Sequence, residues 1–90
     1  MKIIAVCGMG IGTSVLLKIN AEKVLKMLEI EATVEAVDVA TARAASFDAQ
    51  IVLTTPELVE SLRGVPAEII PIDHFFDLEE LNTKLSKALL

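Results

Sequence analysis

The apolar residues of the chain are arranged in two alternating patterns. Short continuous runs of Ile, Val, Leu and Ala are typical of strands buried on both faces of a parallel sheet, since such strands show no polar alternation. Longer stretches, in which apolar positions recur every three or four residues, are typical of helices with one buried face. Strands are predicted at residues 2–6, 32–39, 49–53 and 67–72. Helices are predicted at residues 13–28 and 78–89, with a helical turn or brief helix at 41–45.

A further helix is predicted from its start and stop residues. Thr54 and Thr55 are followed by a proline and a glutamate, an order typical of a helix start, and Gly64 is expected to end this helix. Thr54 and Thr55 are therefore interpreted as helix caps rather than ligands. The last helix is expected to be capped by Asp77, with Glu80 at the capping-box position three residues later.

Together these elements predict an α/β fold, a three-layer sandwich around a four-stranded parallel sheet of strand order 2-1-3-4. Strands that alternate with helices are typical of such a sheet, because each crossover helix covers one of its faces. The first strand is expected at the centre of the sheet. Pro71 has no backbone N–H to donate to a neighbouring strand, which predicts that the fourth strand lies at an edge of the sheet.

Composition and charge narrow the function classes. The 90 residues, 53% of them hydrophobic, are enough for one domain spanning residues 1–90 with a small core. A net charge of −5 and only three aromatic residues, all Phe, argue against a nucleic-acid binder. The apolar run at the start is too short to span a bilayer and has no signal-peptide cleavage pattern, so a cytoplasmic protein is expected.

The chemistry is concentrated in one turn between the first strand and the first helix. Cys7, the single cysteine, is followed by three of the four glycines and then by two hydroxyl residues suited to a helix start. Glycines allow backbone amides to converge on an anion, and the first turn of a helix offers unpaired N–H groups. A thiol beside such a site is expected to have a lowered pKa and to act as a nucleophile. The predicted phosphate cradle consists of Gly8, Met9, Gly10, Ile11, Gly12, Thr13 and Ser14.

Other polar residues follow or end the remaining strands. Ligands in open parallel sheets bind beyond the carboxyl ends of the strands, so these residues are expected near the cysteine loop. His74, the single histidine, is given no catalytic role. The residues at these strand ends are Asp38, Thr54, Thr55, Asp73 and His74. A Walker-type loop is excluded because no lysine precedes Thr13, and a dinucleotide fingerprint because the third glycine comes too early.

The residues Cys-Gly-Met-Gly-Ile-Gly-Thr-Ser, directly after an amino-terminal strand, resemble the phosphorylated loop of enzyme IIB components of the bacterial sugar phosphotransferase system. The resemblance covers the whole chain and is strongest to the ascorbate and galactitol type, particularly the ascorbate side. It implies a flavodoxin-like or phosphatase-like topology and a phosphotransferase without cofactor or metal. It also implies that Cys7 takes a phosphoryl group from a histidine of a IIA partner and passes it to a sugar bound by a membrane IIC partner.

Two other function classes stay open on the sequence. Low-molecular-weight tyrosine phosphatases are similar in fold and loop, but their arginine position is occupied here by Thr13, while Ser14 matches their serine. The loss of the bidentate guanidinium favours a carrier over a phosphatase, although Asp73 sits where a phosphatase acid could. A small flavin-binding module would leave the thiol unexplained and would need aromatic residues around the ring. Arsenate reductases of related fold need further cysteines, and this sequence has none besides Cys7.

Overall fold

The computed structural model describes residues 1–8 and 11–90, and only the backbone of Ile11. Its strands all run parallel, in the order β2-β1-β3-β4, which confirms the predicted fold class and strand order. The strand β1 lies between two others, as predicted, and β4 lies at an edge, as Pro71 predicts. The strands are β1 (Lys2–Val6), β2 (Thr33–Val37), β3 (Ile51–Thr54) and β4 (Glu68–Pro71).

Helices cover both faces of the sheet. The first helix, α1 (Ile11–Met27), and the last, α3 (Leu78–Leu89), pack on one face, and the short α2 (Val39–Ala45) packs on the other. On the inner face of α1, Leu17, Ala21 and Val24 are fully buried, as expected for a helix with one apolar face. Among the helices described by the structure, none combines the length and apolar content needed to cross a bilayer.

The pleat of β1 divides the core into two clusters. Successive side chains of a strand point to opposite faces, so residues two apart share a face. Ile3, Ala5 and Cys7 therefore pack with α1 and α3. Ile4 and Val6 pack with the α2 layer on the other face. This alternation determines which residues at the ends of neighbouring strands lie on the same side as Cys7.

The prediction of an α-helix between residues 54 and 64 is wrong. The chain forms a 3₁₀ helix at Pro56–Leu58 and then turns as far as Gly64, whose φ of 88° ends the segment as predicted. Thr54 belongs to β3 rather than to a helix cap. Most hydrogen bonds here span three residues, as from Leu58 N–H to Thr55 O at 3.0 Å. Hydrogen bonds of the 3₁₀ type thus replace the α-helical pattern over most of this segment.

The start of α3 is anchored by two carboxylates with different roles. Asp77 caps the helix as predicted, accepting from the N–H groups of Glu79 and Glu80. Glu80 does not return to the cap as the capping-box interpretation requires. Its carboxylate instead accepts from the N–H groups of Asp73 and His74, at 2.7 and 2.9 Å, and pairs with Lys84 at 2.6 Å. Glu80 thus holds the loop between β4 and α3 against the helix.

The replacement Glu80→Gln is expected to destabilise the protein at neutral pH by about 2 kcal/mol, because hydrogen bonds to a charged group contribute roughly 1.5–3 kcal/mol. Burial alone raises the pKa of Glu80, but the bonds from Lys84 and from the backbone of Asp73 and His74 more than offset this and lower it to about 2. The carboxylate therefore stabilises the fold above pH 4.5, the ordinary value, and this contribution is lost as the pH falls through about 2.

Urea denaturation between pH 2 and 7 measures this effect. The difference between wild type and Glu80→Gln should be largest near neutrality and should shrink toward pH 2. Glu79→Gln is a matched control, since Glu79 is exposed in the same helical turn. Equal effects of the two substitutions at all pH values would contradict the role of Glu80.

Candidate functional site

Cys7 lies at the carboxyl end of β1, directly beside the start of α1. Its backbone N–H donates to Ser14 Oγ at 3.1 Å, and the Ser14 hydroxyl lies 3.4 Å from the carbonyl oxygen of Val37 at the end of β2. Ser14 is fully buried. The serine therefore ties the ends of two neighbouring strands to the first turns of α1, and it fixes the backbone of Cys7 at that end of the sheet.

The start of α1 supplies the positive end of the site. The helix begins at Ile11, two residues before the predicted start, so Gly12 and Thr13 lie in its first turn. The first N–H groups of an α-helix have no partner within the helix and favour an anion. Of the predicted cradle, Met9 and Gly10 lie outside the described residues.

Gly8 and Gly12 lie in ordinary backbone conformations, since Gly64 alone among the described glycines has a positive φ. Neither position therefore has the left-handed φ that favours glycine. A Cβ on Gly8 would lie 3.5 Å from Leu58 Cδ2, an ordinary contact, and a Cβ on Gly12 would meet no atom of the described chain within 4 Å. None of the described residues therefore fills the space beside Gly12 at the first turn of α1.

The thiol of Cys7 is buried, with only 2% of the residue exposed. Burial raises its pKa, a hydrogen bond with the Ser14 side chain lowers it, and the negative charge of Glu57 raises it further. Together these effects raise the pKa of Cys7 above its ordinary value, so the prediction of a lowered pKa is wrong for this structure. A buried sulfur near a carboxylate keeps its proton until a reaction partner changes its surroundings.

The residues at the other strand ends all lie at the carboxyl edge of the sheet, as the parallel topology requires. Several already have structural roles. The carboxylate of Asp38 caps α2 by accepting from Thr41 N–H at 2.9 Å. Asp73 and His74 are held through their backbone by Glu80, and their side chains are exposed. These contacts give the three residues a part in the fold and assign none of them to the chemistry of the thiol.

Thr54 and Thr55 behave differently from the predicted caps. Thr55 stands at the start of the 3₁₀ helix but makes no side-chain capping bond there. Both residues are buried, and neither hydroxyl has a hydrogen-bond partner in the part of the chain that the structure describes. Sequence reasoning also missed Glu57, whose charge acts on Cys7. The sequence placed Thr54 and Thr55 at the end of the third strand, the same edge as Cys7, and Glu57 follows them within the next few residues.

Comparisons with known proteins agree with this architecture. Residues 2–87 match the family model described as "PTS system, Lactose/Cellobiose specific IIB subunit". The chain is 34% identical to the "Ascorbate-specific PTS system EIIB component" of Mycoplasma pneumoniae, over 99% of this chain and 95% of that protein.

A solved structure shows the same fold. The lactose-specific IIB component domain of the phosphoenolpyruvate:carbohydrate phosphotransferase system from Streptococcus pneumoniae superimposes with a TM-score of 0.66 at 15% identity, over 99% of this chain and 94% of that one. At this identity the similarity concerns the fold alone, and membership follows from the match over nearly the whole sequence. The chain belongs to the family of IIB subunits of the sugar phosphotransferase system.

Proposed function

We propose that Cys7 is the residue through which this IIB subunit carries its phosphoryl group. The family supports a phosphoryl-carrier role in a sugar phosphotransferase system, together with IIA and membrane IIC partners. The observation that carries the assignment to Cys7 is its position, where the chain's single thiol meets the first turns of α1 through Ser14. Backbone N–H groups of the helix can donate hydrogen bonds to a bound phosphoryl group here and stabilise its negative charge. Residues 8–14 are proposed to supply them.

In the first transfer, the sulfur of Cys7 attacks the phosphorus of a phosphohistidine on the IIA partner. The S–P bond forms as the N–P bond breaks, and the proton of the thiol ends on the released histidine nitrogen. Because the thiolate is the nucleophile, the thiol must lose its proton during the transfer, and the nitrogen released from the phosphorus is the base that takes it. Since the sulfur is almost fully buried, the side chains around it must separate as the partner docks.

In the second transfer, a hydroxyl oxygen of the sugar attacks the phosphorus on Cys7. The O–P bond forms as the S–P bond breaks, and the released thiolate takes up the hydroxyl proton. Ser14 can assist, because its single hydroxyl proton can turn from the long bond to Val37 O toward the sulfur when the sulfur is anionic. The protein returns to the protonated thiol of the free structure.

The proposed substrate is ascorbate, for which the Mycoplasma pneumoniae relative is named as specific. The family description names lactose and cellobiose, so cellobiose is the natural comparison sugar. We propose that residues 1–90 form a single IIB domain and that it works in the cytoplasm, meeting the membrane through IIC. The burial of the sulfur keeps water from the phosphorus and favours transfer over hydrolysis.

The test is phosphorylation followed by mass spectrometry. Incubation with phosphoenolpyruvate, the general carriers and the IIA protein of an ascorbate system should add one phosphoryl group, located on the peptide that contains Cys7. Adding membranes with the matching IIC protein and ascorbate should then remove this group, whereas cellobiose should not. A phosphoryl group on any other residue would refute the assignment to Cys7.

A parallel assay separates the carrier from a phosphatase. Thr13 stands where a phosphatase loop has arginine, so negligible hydrolysis of an aryl phosphate is expected. Steady hydrolysis that depends on Cys7 would favour the phosphatase instead.

A further inference from the structure

The end of β3 holds two buried hydroxyl groups that the fold does not use. Thr54 is fully buried and Thr55 is 7% exposed, and within the described part of the chain neither Oγ1 atom has a hydrogen-bond partner. A buried hydroxyl without a partner has lost its bonds to water and gained none in return, so it opposes folding. Such a group calls for an explanation other than stability.

The two threonines lie on opposite faces of the sheet. Thr54 pairs in register with Val6, and both continue the face of Val52, which packs in the cluster on the α2 side. Thr55 follows in an extended conformation, with φ −91° and ψ 156°, so its side chain points to the other face. That face carries Leu53 and Cys7, which pack with α1 and α3.

The strand register also places Thr55 beside Cys7. Because Val6 is opposite Thr54, the next residue of each chain, Cys7 and Thr55, lie side by side at the carboxyl end of the sheet. Neighbouring strands are separated by about 4.8 Å, within reach of a hydrogen bond between short side chains. The 3₁₀ helix that follows Thr55 places Leu58 next to Gly8, the residue after Cys7.

We propose that Thr55 is a positioning residue for phosphoryl transfer, whose hydroxyl donates a hydrogen bond to the Cys7 sulfur as it becomes anionic and then to an oxygen of the phosphoryl group. The inference rests on the proposed function of Cys7. Ser14 already binds the backbone of Cys7 and lies by Val37 O, whereas the Thr55 proton is uncommitted in the described structure. A donor fixed in a buried site needs no reorganisation when charge develops on the sulfur.

The experiment compares Thr55→Val, which replaces the hydroxyl with a methyl group of similar size, with Thr55→Ser, which keeps the hydroxyl. Thr54→Val is the matched control, since it removes an equally buried, unpartnered hydroxyl on the opposite face. Two rates are measured on the full chain: phosphorylation of Cys7 by the IIA system, and alkylation by iodoacetamide as a function of pH. The charged group that acts on the thiol, Glu57, is unchanged in all variants.

Thr55→Val should slow phosphorylation at least about tenfold, as expected for loss of one preorganised donor. Its alkylation profile should move to higher pH. Thr55→Ser and Thr54→Val should behave as wild type in both assays, while thermal unfolding of both valine variants should occur at or above the wild-type temperature.

Wild-type rates and an unchanged pH profile for Thr55→Val, with Cys7 still phosphorylated, would overturn this inference and leave the proposed function standing. Equal losses in Thr54→Val and Thr55→Val would also overturn it, because the effect would not depend on the face of the sheet. If wild type itself gains no phosphoryl group on Cys7, the proposed function fails; an unshifted alkylation profile would then refute the role of Thr55 at the sulfur separately.

Discussion

Cys7→Ser is expected to abolish the gain of a phosphoryl group while leaving the fold unchanged. Serine is close in shape to cysteine and fits the buried position at the end of β1. A serine hydroxyl is a much weaker acid and a weaker nucleophile than a thiol, so it cannot pass its proton and take up the phosphoryl group in the same setting. The expected loss is at least about a thousandfold in rate, the scale seen when a nucleophile is removed from an enzyme.

Intact-mass spectra of wild type and Cys7→Ser, after the same incubation with the IIA system, provide the measurement. Far-UV circular dichroism and urea denaturation show whether the variant is folded. Because the chain has one cysteine, thiol titration of wild type before and after phosphorylation gives an independent count of blocked sulfur. A folded Cys7→Ser protein that gains the same mass at the wild-type rate would place the phosphoryl group elsewhere.

Leu81→Ala is expected to cause the largest loss of stability, about 2–5 kcal/mol. Leu81 is fully buried in the cluster that joins α3 to α1 and to β1. Truncation removes apolar contact and leaves a cavity that a packed core refills only in part. A domain of this size has a total stability on the order of 5–15 kcal/mol, so the loss is a large share of it.

Leu78→Ala is the matched control for this prediction, since Leu78 lies one turn earlier in α3 and is 36% exposed. Urea and thermal denaturation should show a fall in melting temperature of roughly 10–40 °C for Leu81→Ala, at about 4–8 °C for each kcal/mol. The fall for Leu78→Ala should be a small fraction of this. Similar losses in the two variants would contradict the packing of α3 by the face that carries Leu81.

The arrangement of the sheet could be predicted from the sequence because it depends on local patterns. The unbroken Ile/Val/Ala run of β1 predicts a central buried strand, and Pro71 predicts an edge; both are confirmed. The prediction of a helix that ends at Gly64 is wrong, because residues typical of helix ends do not determine the conformation of the residues between them. Between those ends the hydrogen bonds mostly follow the tighter 3₁₀ pattern.

The surroundings of the thiol could not be predicted in the same way. The sequence places Cys7 between a strand and a helix start, which indicates an anion site and led to the expectation of a lowered pKa. In the structure, burial and the charge of Glu57 both raise the pKa of Cys7 instead. Glu57 is fifty residues away in the sequence and approaches Cys7 only because β3 pairs with β1.

By itself, the sequence determined the order and type of most elements, the parallel sheet, and the place of the single cysteine at the edge where ligands bind. These follow from apolar periodicity and from helix-start residues, which act over a few neighbours. Only the tertiary structure decided that the thiol is buried and protonated, that Glu80 binds the backbone of Asp73 and His74, and that Thr55 shares a face with Cys7. Burial, charge and strand register act through space between distant segments, so they are set when the sheet assembles.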